Sequence, residues 1–286
     1  MNEILHLQRC GIVITDRCNL FCRLCAEYSP YYKNPPYTEL DKIKKAIDIF
    51  FNCVDSIGDF SLFGGEPLLH EDWVDVLIYL DKYISRINRL LVLTNGTIVP
   101  KEEFLKKLVS FPKVHEKLQF NISDYGKNLS KRVIEIESLC KMFNVKCRVI
   151  NLQESDAFCG GWVDFGDHTK KFFTEKDIKE HAQNCAFRKQ FFSNIRFMDG
   201  KIYFSRCARA FRRYYLGITP EDSTDIIHFP ENPEPEHFLE LRKKIIKMRD
   251  SEYSDACAYC NGICDDSPRF PPAQQLTKEE ILSIKR

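Results

Sequence analysis

The chain has 286 residues, of which 44% are hydrophobic and 13% aromatic, and its 42 basic and 41 acidic side chains leave a formal net charge of +1. This composition excludes a disordered chain, which would be poor in apolar residues and strongly charged, and it lacks the basic excess typical of nucleic-acid binders. No apolar run approaches the roughly 20 residues that span a bilayer, and residues 1–9 lack the apolar core of a signal peptide. We therefore expect a soluble cytoplasmic protein with no membrane or nucleic-acid partner.

Strand-like and helix-like segments alternate along the first 150 residues. Short apolar runs predict strands at residues 10–15, 59–63, 89–93, 117–122 and 145–152. Apolar residues at helical spacing predict helices after a capping box at residues 38–41 and over residues 71–83, 101–109 and 130–143. Repeated strand–helix units predict a parallel sheet covered by helices. Right-handed crossovers would curl five or six such units into a partial (β/α)5-6 TIM-like barrel.

The pattern changes after the fifth predicted strand. Residues 153–184 are polar and have no clear period before a short helix near residue 175, and a stretch of this kind commonly covers an active site. Residues 194–197 and 201–204 then read as a hairpin, because Asp-Gly at its centre is a strong turn signal. We place a boundary near residue 184, which gives a barrel domain over residues 1–184 and a small α+β domain over residues 185–286.

Thirteen cysteines are the unusual feature of the composition. A large odd number without a secretion signal argues against a disulfide framework and favours thiolate ligands that stay reduced. Cys18, Cys22 and Cys25 directly follow the first predicted strand, at the end of a parallel sheet where ligands gather. Three thiolates can hold three corners of an iron–sulfur cube, which leaves one metal position open. A zinc knuckle short of one ligand, or a set of core cysteines, is the alternative.

Three further predicted strands end in polar or glycine-rich groups. The second ends in GGEP at residues 64–67, where two glycines allow close approach of the backbone and a glutamate places a carboxylate where an ammonium could bind. The third ends in TNG at residues 94–96 and the fourth in NISD at residues 121–124. Turn chemistry could explain any one of these motifs, but together they predict a binding site at one rim of the barrel.

The motifs C-x3-C-x2-C after the first strand and GGEP after the second resemble those of the radical S-adenosylmethionine (SAM) superfamily. The resemblance covers residues 10 to about 150. It implies that the three cysteines hold a 4Fe–4S cluster whose open iron binds SAM, that a flavodoxin- or ferredoxin-type donor reduces it, and that a 5′-deoxyadenosyl radical removes a substrate hydrogen atom. The residues implied to contact SAM are Gly64, Gly65 and Glu66 for the methionine ammonium and Ser123 with Asn95 for the ribose. Leu24 departs from the family pattern, in which this position is often aromatic.

Five more cysteines lie in the C-terminal part of the chain. The C-x2-C spacing of Cys257 and Cys260 is by itself as compatible with zinc as with an iron–sulfur cluster. The order of a cysteine, a hairpin turn, a second cysteine, a helix and C-x2-C resembles the twitch domain, a shortened SPASM domain, and implies one auxiliary 4Fe–4S cluster. Carried over by position, the ligands are Cys185, Cys207, Cys257 and Cys260, while Cys264 is extra and could replace one of them.

This layout is similar to that of butirosin-pathway cyclitol dehydrogenases, which implies oxidation of a secondary alcohol of a sugar or cyclitol to a ketone. Arg148 on the fifth strand could assist deprotonation or stabilise charge, or could be a solvated arginine. Trp162 could stack on a sugar face, and Arg212 with Arg213 could meet a substrate phosphate or form a solvated helix face. A second hypothesis is epimerisation of a sugar or peptide with Cys159 as hydrogen donor. Ribosomal peptide maturation is a third, disfavoured because the barrel pattern begins by residue 10 and leaves little room for a leader-binding domain.

Overall fold

The protein is represented by a computed structural model that describes residues 4–153, 160–187, 194–198, 200–204 and 208–285. Two of the predicted site residues, the candidate hydrogen donor Cys159 and the candidate ligand Cys207, lie outside the described residues. The other predicted site residues are all described.

Within the described residues the strands form one sheet of eight, in the order β5-β4-β3-β2-β1-β6-β7-β8. The strands are β1 (His6–Thr15), β2 (Ser56–Gly64), β3 (Ile87–Thr94), β4 (Leu118–Asp124), β5 (Lys146–Asn151), β6 (Asn194–Met198), β7 (Lys201–Phe204) and β8 (Ile226–His228). All neighbouring strands from β5 through β1 to β6 pair in parallel. The pairs β6–β7 and β7–β8 are antiparallel. This order confirms the predicted α/β class and is consistent with a partial TIM-like barrel.

The described helices are α1 (Leu40–Cys53), α2 (Trp73–Tyr79), α3 (Glu102–Val109), α4 (Pro112–Lys117), α5 (Val133–Met142), α6 (Glu175–Asn184), α7 (Arg209–Tyr215), α8 (Pro235–Asp250) and α9 (Lys278–Lys285). Helices α1 to α5 and α8 pack on the main core of the sheet. Helix α5 begins three residues later than predicted because the Ser130 hydroxyl accepts from Tyr125 N at 2.9 Å and donates to Asn95 O at 2.8 Å, which ties this segment to the strand ends. None of the described helices is both long enough and apolar enough to cross a membrane.

Alternation along the strands separates a helix-covered face from an inner face. Phe120 and Ile122 of β4 are fully buried in the core beneath the helices, so Asn121 and Ser123 between them point to the opposite, inner face. Paired residues of parallel strands share a face, and Arg148 of β5 lies beside Asn121. The pairing therefore places Arg148 on the inner face, a point that the sequence left open.

The hairpin of β6 and β7 continues the barrel sheet across the predicted boundary at residue 184. Arg9 to Ile12 of β1 pair in parallel with residues 194–197 of β6, and β7 then pairs antiparallel with β6. Helix α8 packs behind the barrel, where the guanidinium of Arg242 donates to Cys53 O at 2.7 Å. The division into two domains at this position remains a prediction.

Candidate active site

The loop that carries Cys18, Cys22 and Cys25 leaves the C-terminal end of β1 and is held against the end of β2. Gly65 N donates to Thr15 O and Glu66 N donates to Arg17 O, both at 2.9 Å. A Cβ on residue 64 or 65 would collide with the carbonyl oxygens of Thr15 and Arg17, and Gly64 also has φ +151°. The two glycines are therefore needed to bring the GGEP segment against the cysteine loop.

Of the three thiols in this loop, Cys22 is buried and Cys18 and Cys25 are half-buried. Burial raises the pKa of Cys18 and of Cys22 to about 12 and that of Cys25 to about 11, and the neighbouring thiols raise the values for Cys18 and Cys22 further. Metal binding would displace the protons from these thiols, and a set of three cysteines fits a 4Fe–4S cluster with one open iron. Among the described residues no three His, Cys, Asp or Glu side chains are already arranged as a metal site. The fit of a 4Fe–4S cluster therefore rests on the identity of the three thiol ligands and on their position at the end of β1.

Two amide side chains donate to the sulfur atoms. Asn95 Nδ2 lies 3.6 Å from Cys18 Sγ, and Gln275 Nε2 lies 3.2 Å from Cys22 Sγ. Such hydrogen bonds tune metal-bound sulfur. Asn95 was expected at the ribose, and its amide is here engaged with the cysteine loop, since Nδ2 also donates to Asn19 Oδ1 at 3.0 Å.

Gln275 belongs to a C-terminal segment that sequence reasoning missed. Arg23 N donates to Gln274 O at 2.7 Å, Phe21 N donates to Gln275 Oε1 at 2.8 Å, and Arg23 forms an ion pair with Glu280. The segment thus lies along the cysteine loop although it follows it by about 250 residues in the chain. No motif or periodicity in the sequence marks this contact.

Glu66 links the ends of β2 and β3. Its fully buried carboxylate accepts hydrogen bonds from Leu68 N at 3.1 Å, Thr94 Oγ1 at 2.9 Å and Asn95 N at 2.7 Å. Burial raises the pKa of this carboxyl to about 7, because the three donors offset only part of the desolvation. Contact of Glu66 with an ammonium remains a prediction.

Beyond Ser123, Tyr125 lies near the cysteine loop and its ring contacts that of Trp162. Ser123 lies half-buried on the inner face, and its side chain forms a hydrogen bond with the hydroxyl of Tyr125. Burial raises the pKa of Tyr125, and the nearby Cys22 thiol raises it further. The Tyr125 ring meets the Trp162 ring edge-on, with centroids 5.8 Å apart. The position of Tyr125, directly after NISD at the end of the fourth strand, was a signal that sequence reasoning did not use.

Residues 12–125 match the family model of the Radical SAM superfamily. This part of the chain is therefore similar in sequence to radical SAM domains. Curated relatives include the GTP 3′,8-cyclase of Clostridium perfringens (strain SM101), 30% identical over 148 residues that make up 48% of this chain and 44% of the relative. The GTP 3′,8-cyclase of Aquifex aeolicus is 33% identical over 100 residues, 34% of this chain and 30% of the relative. The chain thus aligns with less than half the length of these relatives.

Solved structures similar to the chain include BtrN in complex with AdoMet and 2-DOIA and anSMEcpe with bound AdoMet. The first is 15% identical, covers 96% of this chain and 100% of that chain, and has a TM-score of 0.48. The second is 20% identical, covers 49% of this chain and 43% of that chain, and has a TM-score of 0.39.

Outside the residues that match the family model, three C-terminal cysteines gather around one loop. Cys185 Sγ accepts from Ile263 N at 3.4 Å and Cys260 Sγ accepts from Gly262 N at 3.3 Å. The pKa of Cys264 is raised by burial and by the nearby Cys185 thiol. Backbone N–H donors to sulfur suit thiolates, but no three metal-ligating side chains are grouped among the described residues, so zinc or an iron–sulfur cluster at these thiols remains a prediction.

Cys257 lies on the 3-10 turn Asp255–Tyr259, which is anchored by a buried carboxylate. Asp225 accepts from Ser254 Oγ, Asp255 N and Ala256 N, each at 2.8 Å, and burial raises its pKa to about 6. Asp225 was not singled out from the sequence. It positions the turn that precedes Cys260.

The irregular segment after β5 packs between the two cysteine regions. Val163 and Phe165 are buried against Cys260 and Ile263. The fully buried Arg209 donates to Tyr28 Oη at 2.8 Å and to Gly166 O at 2.9 Å, which joins this segment to the first cysteine loop. Its role as a substrate cover remains a prediction.

Proposed function

We propose that this chain is a radical SAM enzyme that abstracts a hydrogen atom from a small-molecule substrate. The convergence of Cys18, Cys22 and Cys25 with residues 64–67 at the ends of β1 and β2 carries the proposal. A 4Fe–4S cluster held by these thiols would supply the one-electron chemistry that cleaves SAM to a 5′-deoxyadenosyl radical.

The residues around the thiols orient and shield the reacting groups. Asn95 and Gln275 would donate to the metal-bound sulfur atoms and stabilise their charge. Residues 64–66 would receive the methionine ammonium of SAM and Ser123 its ribose, as the family resemblance implies. Tyr125 and Trp162 would exclude water from the side that faces the inner barrel.

We further propose that the reaction oxidises a secondary alcohol of a sugar or cyclitol to a ketone. Support comes from the polar inner face, where Gln119 Nε2 donates to Asn121 Oδ1 at 2.7 Å and Arg148 lies exposed beside Asn121. Such side chains suit a substrate rich in hydroxyl groups, and Arg148 would stabilise negative charge on the oxygen that loses its proton. An auxiliary 4Fe–4S cluster held by the C-terminal cysteines would supply an electron acceptor.

Cyclisation of a nucleotide is the second candidate. It is supported by the name of the relatives, GTP 3′,8-cyclase, and by 30% identity over 148 residues. The two candidates are distinguished by their products, because oxidation yields a carbonyl whereas cyclisation joins two atoms of one nucleotide. Epimerisation would instead incorporate a solvent-derived hydrogen atom without a net change in oxidation state.

We place the enzyme in the cytoplasm, with a flavodoxin- or ferredoxin-type protein as electron donor. The large number of thiols, eleven among the described residues, suits a reducing compartment. The nearly neutral net charge of +1 supports the absence of a nucleic-acid partner.

The decisive experiment measures SAM cleavage and iron content in anaerobically reconstituted protein reduced with dithionite. We expect 5′-deoxyadenosine and methionine to form, and a Cys18→Ser, Cys22→Ser, Cys25→Ser triple variant to lose this activity together with about four irons. The half-buried Cys147, which lies on β5, provides the control variant Cys147→Ala. Unchanged SAM cleavage in the triple variant would contradict the proposal.

A further inference from the structure

Helix α7 carries three arginines, of which Arg209 and Arg212 lie near the first cysteine loop. Arg209 and Arg213 are buried and donate mainly to backbone carbonyl groups. Arg213 donates to His168 O at 3.2 Å and to Ile218 O at 3.0 Å, and its guanidinium lies 3.5 Å from the centre of the Tyr259 ring. Buried charge is costly unless an opposite charge compensates it. Asp225 acts on Arg213, and an anion near Arg212 would add to this compensation.

Arg212 on the same helix keeps part of its hydrogen-bonding capacity unused. Its guanidinium lies over the Tyr32 ring at 4.8 Å and the Tyr215 ring at 5.6 Å. Its Nη1 is buried and has no hydrogen-bond partner among the residues that the structure describes, and the same holds for Nδ1 of His168. Buried polar atoms without partners are rare in native proteins and call for an explanation.

Arg212 and His168 line the same cavity. It has a volume of about 380 Å³, and its wall also includes Leu24 and Cys25 of the first cysteine loop. The cavity therefore reaches from α7 to one of the proposed cluster ligands. A group bound between Arg212 and His168 would lie beside the place where SAM is expected.

Charges of both signs surround this cavity. Burial and then the three guanidinium groups of α7 lower the pKa of His168 to about 4, against a smaller opposing effect of Asp167. The lining residue Arg23 is already paired with Glu280. Asp164 is the carboxylate among the described lining residues, and its Oδ1 accepts from Gly166 N at 2.8 Å.

We propose that this cavity binds an oxyanion group of the substrate, a phosphate or a carboxylate, with Arg212 as the principal contact and His168 as the second. The guanidinium presents paired N–H donors that match the oxygen atoms of either group. The assignment to the substrate rests on the proposed function, and it narrows the substrate class to anionic small molecules. Binding energy at a group remote from the reacting carbon would hold that carbon in place for hydrogen abstraction.

The test is isothermal titration of the anaerobically reconstituted protein with inorganic phosphate and, separately, with acetate. Chloride keeps the ionic strength constant, because screening weakens ionic contacts. We expect one of the two probes to bind, Arg212→Gln to weaken that binding by about tenfold or more, and Arg212→Lys to weaken it less. Arg132→Gln is the control, because Arg132 is exposed, pairs with Glu135, and lies at the start of α5 instead of on α7.

Arg212→Gln also removes the contact of the guanidinium with the Tyr32 ring, so the variant could lose stability as well as binding. His168→Gln is therefore the second variant. Thermal unfolding of each variant identifies a folding defect. We expect His168→Gln to weaken binding severalfold. No binding of either probe, or wild-type binding in both Arg212→Gln and His168→Gln, would overturn the assignment. Displacement of the bound probe by SAM would overturn it as well, because the arginine would then hold the carboxylate of SAM.

The SAM cleavage assay needs neither phosphate nor acetate and therefore tests the proposed function separately. A protein that cleaves SAM but binds neither probe would contradict only the oxyanion site. A protein that binds a probe through Arg212 but does not cleave SAM would contradict only the proposed function.

Discussion

The two cysteine regions of this protein are built in opposite ways. Cys18, Cys22 and Cys25 share one short loop, and the end of the neighbouring strand β2 holds that loop through backbone hydrogen bonds. Cys257, Cys260 and Cys264 also share a short stretch, but Cys185 comes from a distant segment and is joined to that stretch by Ile263 N, which donates to its sulfur. The distant carboxylate of Asp225 anchors the turn that carries Cys257. The first site therefore depends mainly on local chain geometry, and the second depends on packing between distant segments. Five substitutions would test this contrast.

The largest loss of stability is expected for Gly64→Ala. A Cβ at this position would collide with Thr15 O, and the φ of +151° strains any residue with a side chain. We expect a loss of about 3 kcal/mol in the free energy of unfolding, together with loss of iron from the first site. Gly217→Ala is the control, because Gly217 also has positive φ but faces open space, and should cost about 1 kcal/mol. Equal losses in the two variants would show that the contact with β1 is unimportant.

Glu66 should make stability depend on pH. Its folded pKa of about 7 lies above the usual 4.5, so the native state binds this proton more tightly than the unfolded chain. The resulting stabilisation of the native state is complete at pH values below the pKa of Glu66 in the unfolded chain, and it is lost as the pH rises through about 7. Between about pH 5 and pH 8 the wild type should lose up to about 3 kcal/mol relative to Glu66→Gln in urea unfolding. Parallel pH profiles of the two proteins would contradict this, and the exposed Glu103→Gln serves as the control.

Asp225→Asn should affect the second region and spare the first. The amide would leave at least one of three donors without an acceptor, at a cost of about 2 kcal/mol. We expect metal bound by the C-terminal cysteines to decrease while SAM cleavage continues. Asp222→Asn, an exposed position on the preceding loop, is the matched control. Loss of metal from the first site instead would mean that the two regions are not independent.

Gln275→Ala tests one of the long-range contacts that support the first region. It removes the donor to Cys22 Sγ and the acceptor of Phe21 N, so we expect a loss of about 1 kcal/mol. Fewer hydrogen bonds to sulfur also alter the reduction potential of a cluster, which electron paramagnetic resonance titration would measure. Gln274→Ala is the control, because its exposed side chain makes none of these contacts. An unchanged potential would argue against a hydrogen bond to bound sulfur.

The smallest effect on stability is expected for Arg148→Gln. Arg148 is exposed on the edge strand β5, and exposed substitutions usually change stability by about 0.5 kcal/mol or less. Product formation with a sugar or cyclitol should nevertheless fall. Cleavage of SAM without substrate, measured on the same protein, serves as the comparison. Full product formation in Arg148→Gln would remove this residue from the proposed mechanism.

Most of the fold could be predicted from the sequence because its signals are local. Apolar periodicity identified the five barrel strands and the helices between them, and the observed bounds differ by a few residues. The late start of α5 was not predictable, because it depends on the hydrogen bonds of Ser130 to two strand ends. The parallel pairing of β6 with β1 was also missed, because a hairpin signal does not show which sheet the hairpin joins.

The sequence by itself determined the first cysteine loop and its glycine-rich neighbour, since the spacing within eight residues and the position after a strand place these groups at one rim. Only the tertiary structure decided that Glu66 turns towards β3, that Gln275 reaches Cys22, and that Arg212 and His168 share a cavity. These contacts join residues that are far apart in the chain. They arise from how strands cross and segments pack, and no periodicity or motif records that geometry.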